Sequence, residues 1–283
     1  MIPNRDKLHK SACLSGRQAT PLQLNSSTTV GSKIYVHDSL MKQICIILVV
    51  AMVFPACNTA QEKNKALTAT DTVYTYGRKT AGGTGKYYMG REIAHMIGPG
   101  GISWLERDDR QQEENTKLAI EKMELQPTSV VADIGAGSGY YSFKIAQKVL
   151  RGKVYAVDVQ PEMIAFLQKQ KATLKDSVVE IVKGDSVSPH LPDHSIDLAI
   201  MVDVYHELEY PHELLQSLKK ALKPNGKILL IEYRGEDPGI PIKPLHKMTA
   251  AQADKEMEAN GFTLYSKGEF LPIHHFLMYE VKQ

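Results

Sequence analysis

The chain has 283 residues, 43% of them hydrophobic and 23% charged, with a formal net charge of +2. That length suits one globular domain of about 150–200 residues with appendages, and the charged and apolar fractions exclude a wholly disordered chain. A near-neutral balance gives no electrostatic ground for a nucleic-acid partner, and none is expected. The three cysteines, Cys13, Cys45 and Cys57, all precede residue 58. The rest of the chain therefore forms no internal disulfide and has no thiolate metal site, and no metal is expected there.

In chain order, residues 1–40 are polar, rich in Ser and Thr, and read as an unstructured extension. Met41-Lys42-Gln43 then leads into an apolar run of about 13 residues that begins at Ile44. A stable membrane span needs about 20, so a secretory signal over 41–57 fits better. The run ends in Phe54-Pro55-Ala56-Cys57, which resembles the lipobox of bacterial lipoproteins, although Phe54 and Pro55 are not its favoured residues. The resemblance implies that Cys57 becomes the first mature residue and carries the lipid. Met41 is then the start of translation, and the protein is lipid-anchored in the cell envelope. The competing reading is a buried apolar helix at the start of the fold and a cytoplasmic protein.

Residues 58–80 are polar and aperiodic, a tether. Residues 81–109 form a glycine-rich amino-terminal cap, in which 87–97 reads as a short helix. From 110 to 283 the pattern becomes regular. An amphipathic helix over 110–125 is stopped by Pro127. Strands at 130–134, 153–157, 178–182, 196–202 and 227–232 alternate with helices at 140–150, 161–174 and 213–222. The Pro224-Asn225-Gly226 turn ends the last of these. A helix over 250–260, closed by Gly261, precedes two final strands at 262–266 and 274–281, an expected antiparallel hairpin at the sheet edge. Strands alternating with helices predict an α/β fold: a doubly wound, mostly parallel sheet buried on both faces.

The most informative stretch is Val130-Val131-Ala132-Asp133-Ile134-Gly135-Ala136-Gly137-Ser138-Gly139, an apolar strand entering a glycine turn before a helix. Glycines admit positive φ and let a ligand approach the backbone, and the helix start adds free N–H groups. Gly135, Gly137 and Gly139 are spaced G-x-G-x-G, and Tyr140 stands where a dinucleotide fingerprint needs its last glycine. Asp158 ends the second strand 19 residues after Gly139, placed as the ribose-binding acid of a βαβ unit. Dehydrogenases place an acid similarly, so Asp158 alone does not separate the two ligand types. Asp185 and Ser186 follow the third strand. Asp203, Tyr205 and His206 follow the fourth, at the carboxyl edge where open α/β sheets bind ligands. Two readings of His206 stand side by side: a general base, or a side chain that only lines the cofactor or bonds a loop.

The glycine turn with its preceding acid, Asp158, Asp185 and the Leu222-Lys223-Pro224-Asn225-Gly226-Lys227 turn together resemble the class I S-adenosylmethionine (SAM) dependent methyltransferases, in their small-molecule-type branch. The resemblance covers about 110–235. It implies a seven-stranded Rossmann-like sheet of order 3-2-1-4-5-7-6 with strand 7 antiparallel, SAM as methyl donor, and a small-molecule acceptor. It further implies that Asp133, Gly135, Ala136, Gly137, Gly139, Asp158, Val159, Asp185, Ser186 and Asp203 form the cofactor site. Asp185 would take the adenine amino group, with Ser186 beside the ring. His206 and Tyr205 are the catalytic candidates.

Two segments outside this core, 86–107 and 232–248, are rich in aromatic, basic and histidine residues and are the expected determinants of acceptor choice; a lid is the functional reading, a packed helix and a surface loop the other. No Asn-Pro-Pro-Tyr-type motif is present, which lowers DNA-base and glutamine acceptors. The lack of cysteines after Cys57 disfavours arsenic. The alternatives are a non-catalytic SAM-fold binding module and, disfavoured by the glycine spacing, an NAD(P)-dependent oxidoreductase. A lipoprotein signal would also carry the domain away from the compartment where SAM is made.

Overall fold

The computed structural model describes residues 73–283. The extension 1–40, the segment 41–57 with Cys57, and the tether up to residue 72 lie outside the described residues. Among the described residues no helix is long and apolar enough to cross a membrane.

The first element is a small antiparallel sheet of β1 (Tyr74–Tyr76), β2 (Gly83–Tyr88) and β3 (Arg91–Ala94). It begins inside the segment expected to be tether and replaces the helix expected over 87–97. The reason is local. Tyr88 pairs with Arg91, and the two residues between them, Met89 and Gly90, have φ of 49° and 96°. A two-residue loop with both φ positive matches the twist of a β-hairpin and cannot lie inside a helix. Gly83 is required because a Cβ there would come within 2.1 Å of Glu92 Oε1. That carboxylate instead receives the backbone N–H of Thr80 at 3.1 Å and of Gly85 at 2.9 Å.

Three short helices follow: α1 (Ile102–Leu105), α2 (Arg110–Glu114) and α3 (Thr116–Glu121). The single helix expected over 110–125 is broken at Asn115, whose φ of 55° and ψ of 50° are left-handed. The remaining elements are β4 (Val130–Ile134), α4 (Tyr140–Ala146), β5 (Lys153–Asp158), α5 (Pro161–Leu174), β6 (Val179–Lys183), β7 (Ile196–Val202), α6 (Pro211–Ala221), β8 (Leu222–Tyr233), α7 (Ala250–Ala259), β9 (Phe262–Gly268) and β10 (His274–Val281). Seven strands make one sheet in the order β6-β5-β4-β7-β8-β10-β9. Counted from β4 this is the expected 3-2-1-4-5-7-6. β10 is antiparallel to both neighbours, so it lies inside the sheet and leaves β9 at the edge. Between β7 and β8 the register jumps from Ile196↔Leu222 to Leu198↔Lys227. The Pro224-Asn225-Gly226 stretch bulges out at that jump.

Side chains along a strand alternate between faces, and here both faces are dry. Ala132 and Ile134 of β4, Ala199 and Met201 of β7, and Ile228 and Leu230 of β8 pack with α6 and α7 on one side. Val131, Ile200, Leu229 and Ile231 pack with α3, α4 and α5 on the other. That is why the central strands read as mostly apolar runs, interrupted by Asp133 in β4 and Asp197 in β7. The layering brings the loops after β4, β5, β6, β7 and β8 together at one edge.

Candidate active site

Those loops enclose a cavity of about 910 Å³. The glycine turn forms its floor. Gly135, Gly137 and Gly139 all have positive φ, at 70°, 56° and 83°. A Cβ on Gly135 would approach Val204 to 2.7 Å, and one on Gly137 would meet Leu105 at 3.0 Å. The turn is pinned to the next strand by Gly135 and Ala136 N–H groups that both donate to the Val157 carbonyl at 2.9 Å. Gly139 caps α4 and, unlike Gly135, Ala136, Gly137 and Ser138, does not line the cavity.

Asp158 sits beside this turn. Its two carboxylate oxygens accept the Gly137 N–H and the Gln160 N–H, each at 2.9 Å. The residue is only 4% exposed. Burial raises its pKa, and the backbone donors only partly offset that. A buried carboxylate in this state gains from further hydroxyl donors. Val159, Asp185 and Ser186 line the same cavity. Asp185 is held in a tight turn: one oxygen takes the Val187 and Ser188 N–H groups, and the other contacts His190 Nε2 at 2.9 Å. Those donors lower its pKa, the Val187 N–H most.

Asp133, in β4, accepts the Ser142 hydroxyl at 2.6 Å. Burial pushes its pKa up to about 6, against the Ser142 hydrogen bond and the charge of Arg110. The unfolded value is near 3.9. The folded state therefore holds the proton more tightly, so this group's contribution to stability is complete below pH ~4. It is lost as pH rises through about 6, with a size on the order of 3 kcal/mol. We expect Asp133→Asn to remove this slope, and urea unfolding of the two proteins between pH 4 and 7.5 checks it. Parallel stability curves would contradict the burial argument.

The loop after β7 carries the catalytic candidates. Asp203, at a φ of 54°, contacts His274 Nε2 at 3.1 Å. Tyr205, His206 and Glu207 form one 3-10 turn, which sends its side chains in different directions. His206 and Glu207 line the cavity, whereas Tyr205 is fully buried in the core and does not. His206 Nδ1 lies 2.5 Å from Glu232 Oε2, and its Nε2 lies 3.1 Å from His246 Nδ1. Burial works against the charged ring, but the Glu232 and Glu207 carboxylates outweigh it and hold the pKa at about 10.

Among the groups at the site, Glu207, Arg110 and Glu114 were given no role by the sequence, whereas Lys86, Arg107, Glu232, Tyr233 and His246 lie in the two segments expected to govern acceptor choice. Glu232, Glu207 and His246 build the surroundings of His206. Arg107 and Arg110 bracket Glu114 at 2.7 and 2.9 Å, and Tyr233 Oη donates to the same carboxylate at 3.3 Å. From the cap, Lys86 lies over the Tyr210 ring, 3.2 Å from its centroid. Both segments expected to govern acceptor choice contribute to the cavity wall, through Trp104 and Ile97 from one and Ile242 and Lys243 from the other.

A family model described as a methyltransferase domain matches residues 132–230, from within β4 to within β8. Phosphoethanolamine N-methyltransferase 1 of Arabidopsis thaliana is 34% identical over 120 residues, 42% of this chain and 24% of that protein. Protein-L-isoaspartate O-methyltransferase of Pyrococcus horikoshii is 28% identical over 115 residues, 40% of this chain and 48% of that protein. The chain thus spans from about a quarter to about half the length of these relatives. A crystal structure of a SAM dependent methyltransferase from Aquifex aeolicus superposes with a TM-score of 0.63 at 24% identity, over 66% of this chain and 100% of that one. That likeness shows the fold.

Proposed function

We propose that this chain, whose residues 132–230 match a methyltransferase-domain family model, transfers the methyl group of SAM to a small-molecule acceptor inside the cavity. The observation that carries the reading is the glycine turn with buried Asp158 opening into an enclosed space of about 910 Å³. That volume is near the top of the range of about 300–1,000 Å³ for small-ligand sites, so it admits a second small molecule beside a nucleoside. The residues present fit SAM. Asp158 would accept the ribose hydroxyls, Asp133 would face the ammonium, and the glycine turn that lines the cavity at Gly135 and Gly137 would pass beside the tail. Asp185 and Ser186 would flank the adenine.

When bound, SAM supplies an electrophilic methyl group whose departure leaves a neutral thioether. The chain then has to position the acceptor and exclude water. Lys86, Tyr210 and Trp104 from the cap side, with Ile242 and Lys243 opposite, would supply that enclosure. His206 is assigned here as a positioning residue, because both its ring nitrogens already face partners. Tyr205 is assigned to the core beneath it.

Calorimetry with SAM, S-adenosylhomocysteine and NAD tests the reading. We expect SAM and S-adenosylhomocysteine to bind and NAD not to; binding of NAD without SAM would refute it. Accumulation of S-adenosylhomocysteine on turnover separates the enzyme from a non-catalytic module. We further propose that Cys57 is lipidated and tethers the domain to a membrane in the cell envelope, on the strength of the lipobox-like Phe54-Pro55-Ala56-Cys57. A mass spectrum of the mature amino terminus showing an intact, unmodified Cys57 would rule this out.

A further inference from the structure

The geometry points to a binding site for one divalent transition-metal ion, held by His206 Nε2, Glu207 Oε1 and His246 Nδ1 in the cavity wall. The three atoms face one another. His206 Nε2 and His246 Nδ1 are 3.1 Å apart, and Glu207 Oε1 lies 3.0 Å from His246 Nδ1 and 3.7 Å from His206 Nε2. Ligand atoms about 2.1 Å from a shared ion stand about 3.0 Å apart at right angles and about 3.4 Å apart in a tetrahedron. The observed triangle brackets those spacings.

Glu207 gives a second, independent sign. Its side chain is 7% exposed, and Oε2 accepts the Ile97 N–H at 3.0 Å. Oε1 is buried and makes no well-aligned hydrogen bond, with His246 Nδ1 beside it at 3.0 Å as an ion-pair partner only when that ring is charged. A buried carboxylate oxygen without an aligned donor is under-satisfied. It stands 3.0 and 3.7 Å from two ring nitrogens, where a shared cation would satisfy it.

The surroundings are those of a metal ligand held from behind. His206 Nδ1 donates to Glu232 Oε2 at 2.5 Å, and Glu232 Oε1 in turn accepts the Val204 and Tyr205 N–H groups at 3.2 and 2.8 Å. A carboxylate behind a histidine keeps the Nδ1 proton, so an ion at Nε2 would displace only the second proton, the one that charges the ring. Glu207 and Glu232 bring two negative charges. The nearby Arg91 guanidinium is already paired with Glu256, so a dication that displaces the His206 proton would take over the balance of the two carboxylates. Two imidazoles and one carboxylate suit a first-row transition ion rather than calcium or magnesium, which prefer oxygen donors. All three residues line the cavity, so the remaining coordination positions face the acceptor space. A second cluster, Glu114, Asp203 and His274, is different, because Arg107 and Arg110 already neutralise Glu114.

This site stands whether or not the cavity transfers methyl groups, and its test reads the metal directly. The full chain, stripped with a chelator, is titrated with Co(II) and followed by its visible d–d absorption. His246→Ala and Glu207→Gln are titrated alongside, after circular dichroism confirms that they are folded. His246 lies on the short turn Pro244–His246, and Glu207→Gln conserves shape. We expect saturation at one equivalent in the wild type and at least tenfold weaker binding in both variants. No saturable binding in the wild type overturns the site. So does unchanged affinity in either folded variant, which would place the ion elsewhere, such as at the amino-terminal cysteines.

Discussion

Replacing Asp158 by alanine is expected to weaken SAM binding by about two orders of magnitude while leaving the fold in place. The carboxylate has two tasks: it ties the glycine turn to β5 through the Gly137 N–H at 2.9 Å, and it would offer its remaining lone pairs to a ribose diol. Hydrogen bonds to a charged group contribute about 1.5–3 kcal/mol each. Two of them set a lower bound of about 3 kcal/mol, or roughly 100-fold in affinity. The fold should tolerate the change, because burial already disfavours this charge and raises its pKa. Asp158→Asn should lose nearly as much, since its amide would turn an N–H toward that of Gly137 or Gln160. Calorimetric SAM titrations of both variants decide the matter. A dissociation constant for Asp158→Ala within threefold of wild type would remove Asp158 from the cofactor site.

The parts of this molecule legible in its sequence are those governed by local rules. The glycine turn is legible because three positive φ values at Gly135, Gly137 and Gly139 leave a spacing in the residues themselves. The sheet is legible because the central run of a strand such as β8, with Ile228 and Leu230 on one face and Leu229 and Ile231 on the other, must be apolar on both sides. Even the cap contained a signal: Gly90 after Met89 marks a hairpin, but the apolar residues of 87–97 also satisfy a helical spacing. Asn115 interrupts a pattern that is otherwise continuous over 110–125. Left-handed residues override periodicity in both places, two of them at Met89 and Gly90 and one at Asn115.

What the sequence hides is pairing across distance. Glu232 reaches His206 over 26 residues and His246 reaches it over 40, so nothing near His206 announces that both ring nitrogens are engaged. The 3-10 turn at Tyr205–Glu207 also decides orientation. It sends Tyr205 into the core while Glu207, which drew no attention in the sequence, enters the cavity. Residue type placed a histidine at the correct strand end, and the surrounding carboxylates determine its role.

A buried long-range ion pair yields a large expected effect on stability. Arg91 of β3 and Glu256 of α7 meet through two hydrogen bonds, Nε–Oε1 at 2.8 Å and Nη2–Oε2 at 2.9 Å. Glu256 is fully buried and the Arg91 side chain only 11% exposed. Removing one partner strands the other charge away from water, which costs about 3–5 kcal/mol. For a domain of this size each kcal/mol lowers the melting temperature by about 2–4 °C, so Arg91→Ala or Glu256→Ala is expected to melt roughly 6–20 °C below wild type. Glu256→Ala also frees Gln252, which donates to the same carboxylate at 2.8 Å. The double variant Arg91→Met/Glu256→Leu should be less damaged than either single one, because it removes the desolvated charges together. Urea denaturation of wild type, the two single alanine variants and the Arg91→Ala/Glu256→Ala double variant gives the coupling energy as a cycle. Additive losses would mean that the two residues do not act as a pair. The same pair bears on the site, since Arg91 Nη1 donates to the His206 carbonyl at 3.0 Å. A cap loosened by Arg91→Ala should therefore impair turnover more than SAM affinity, because the glycine turn and Asp158 make none of these contacts. An equal loss in both would show that the cap supports the cofactor half as well as the acceptor half.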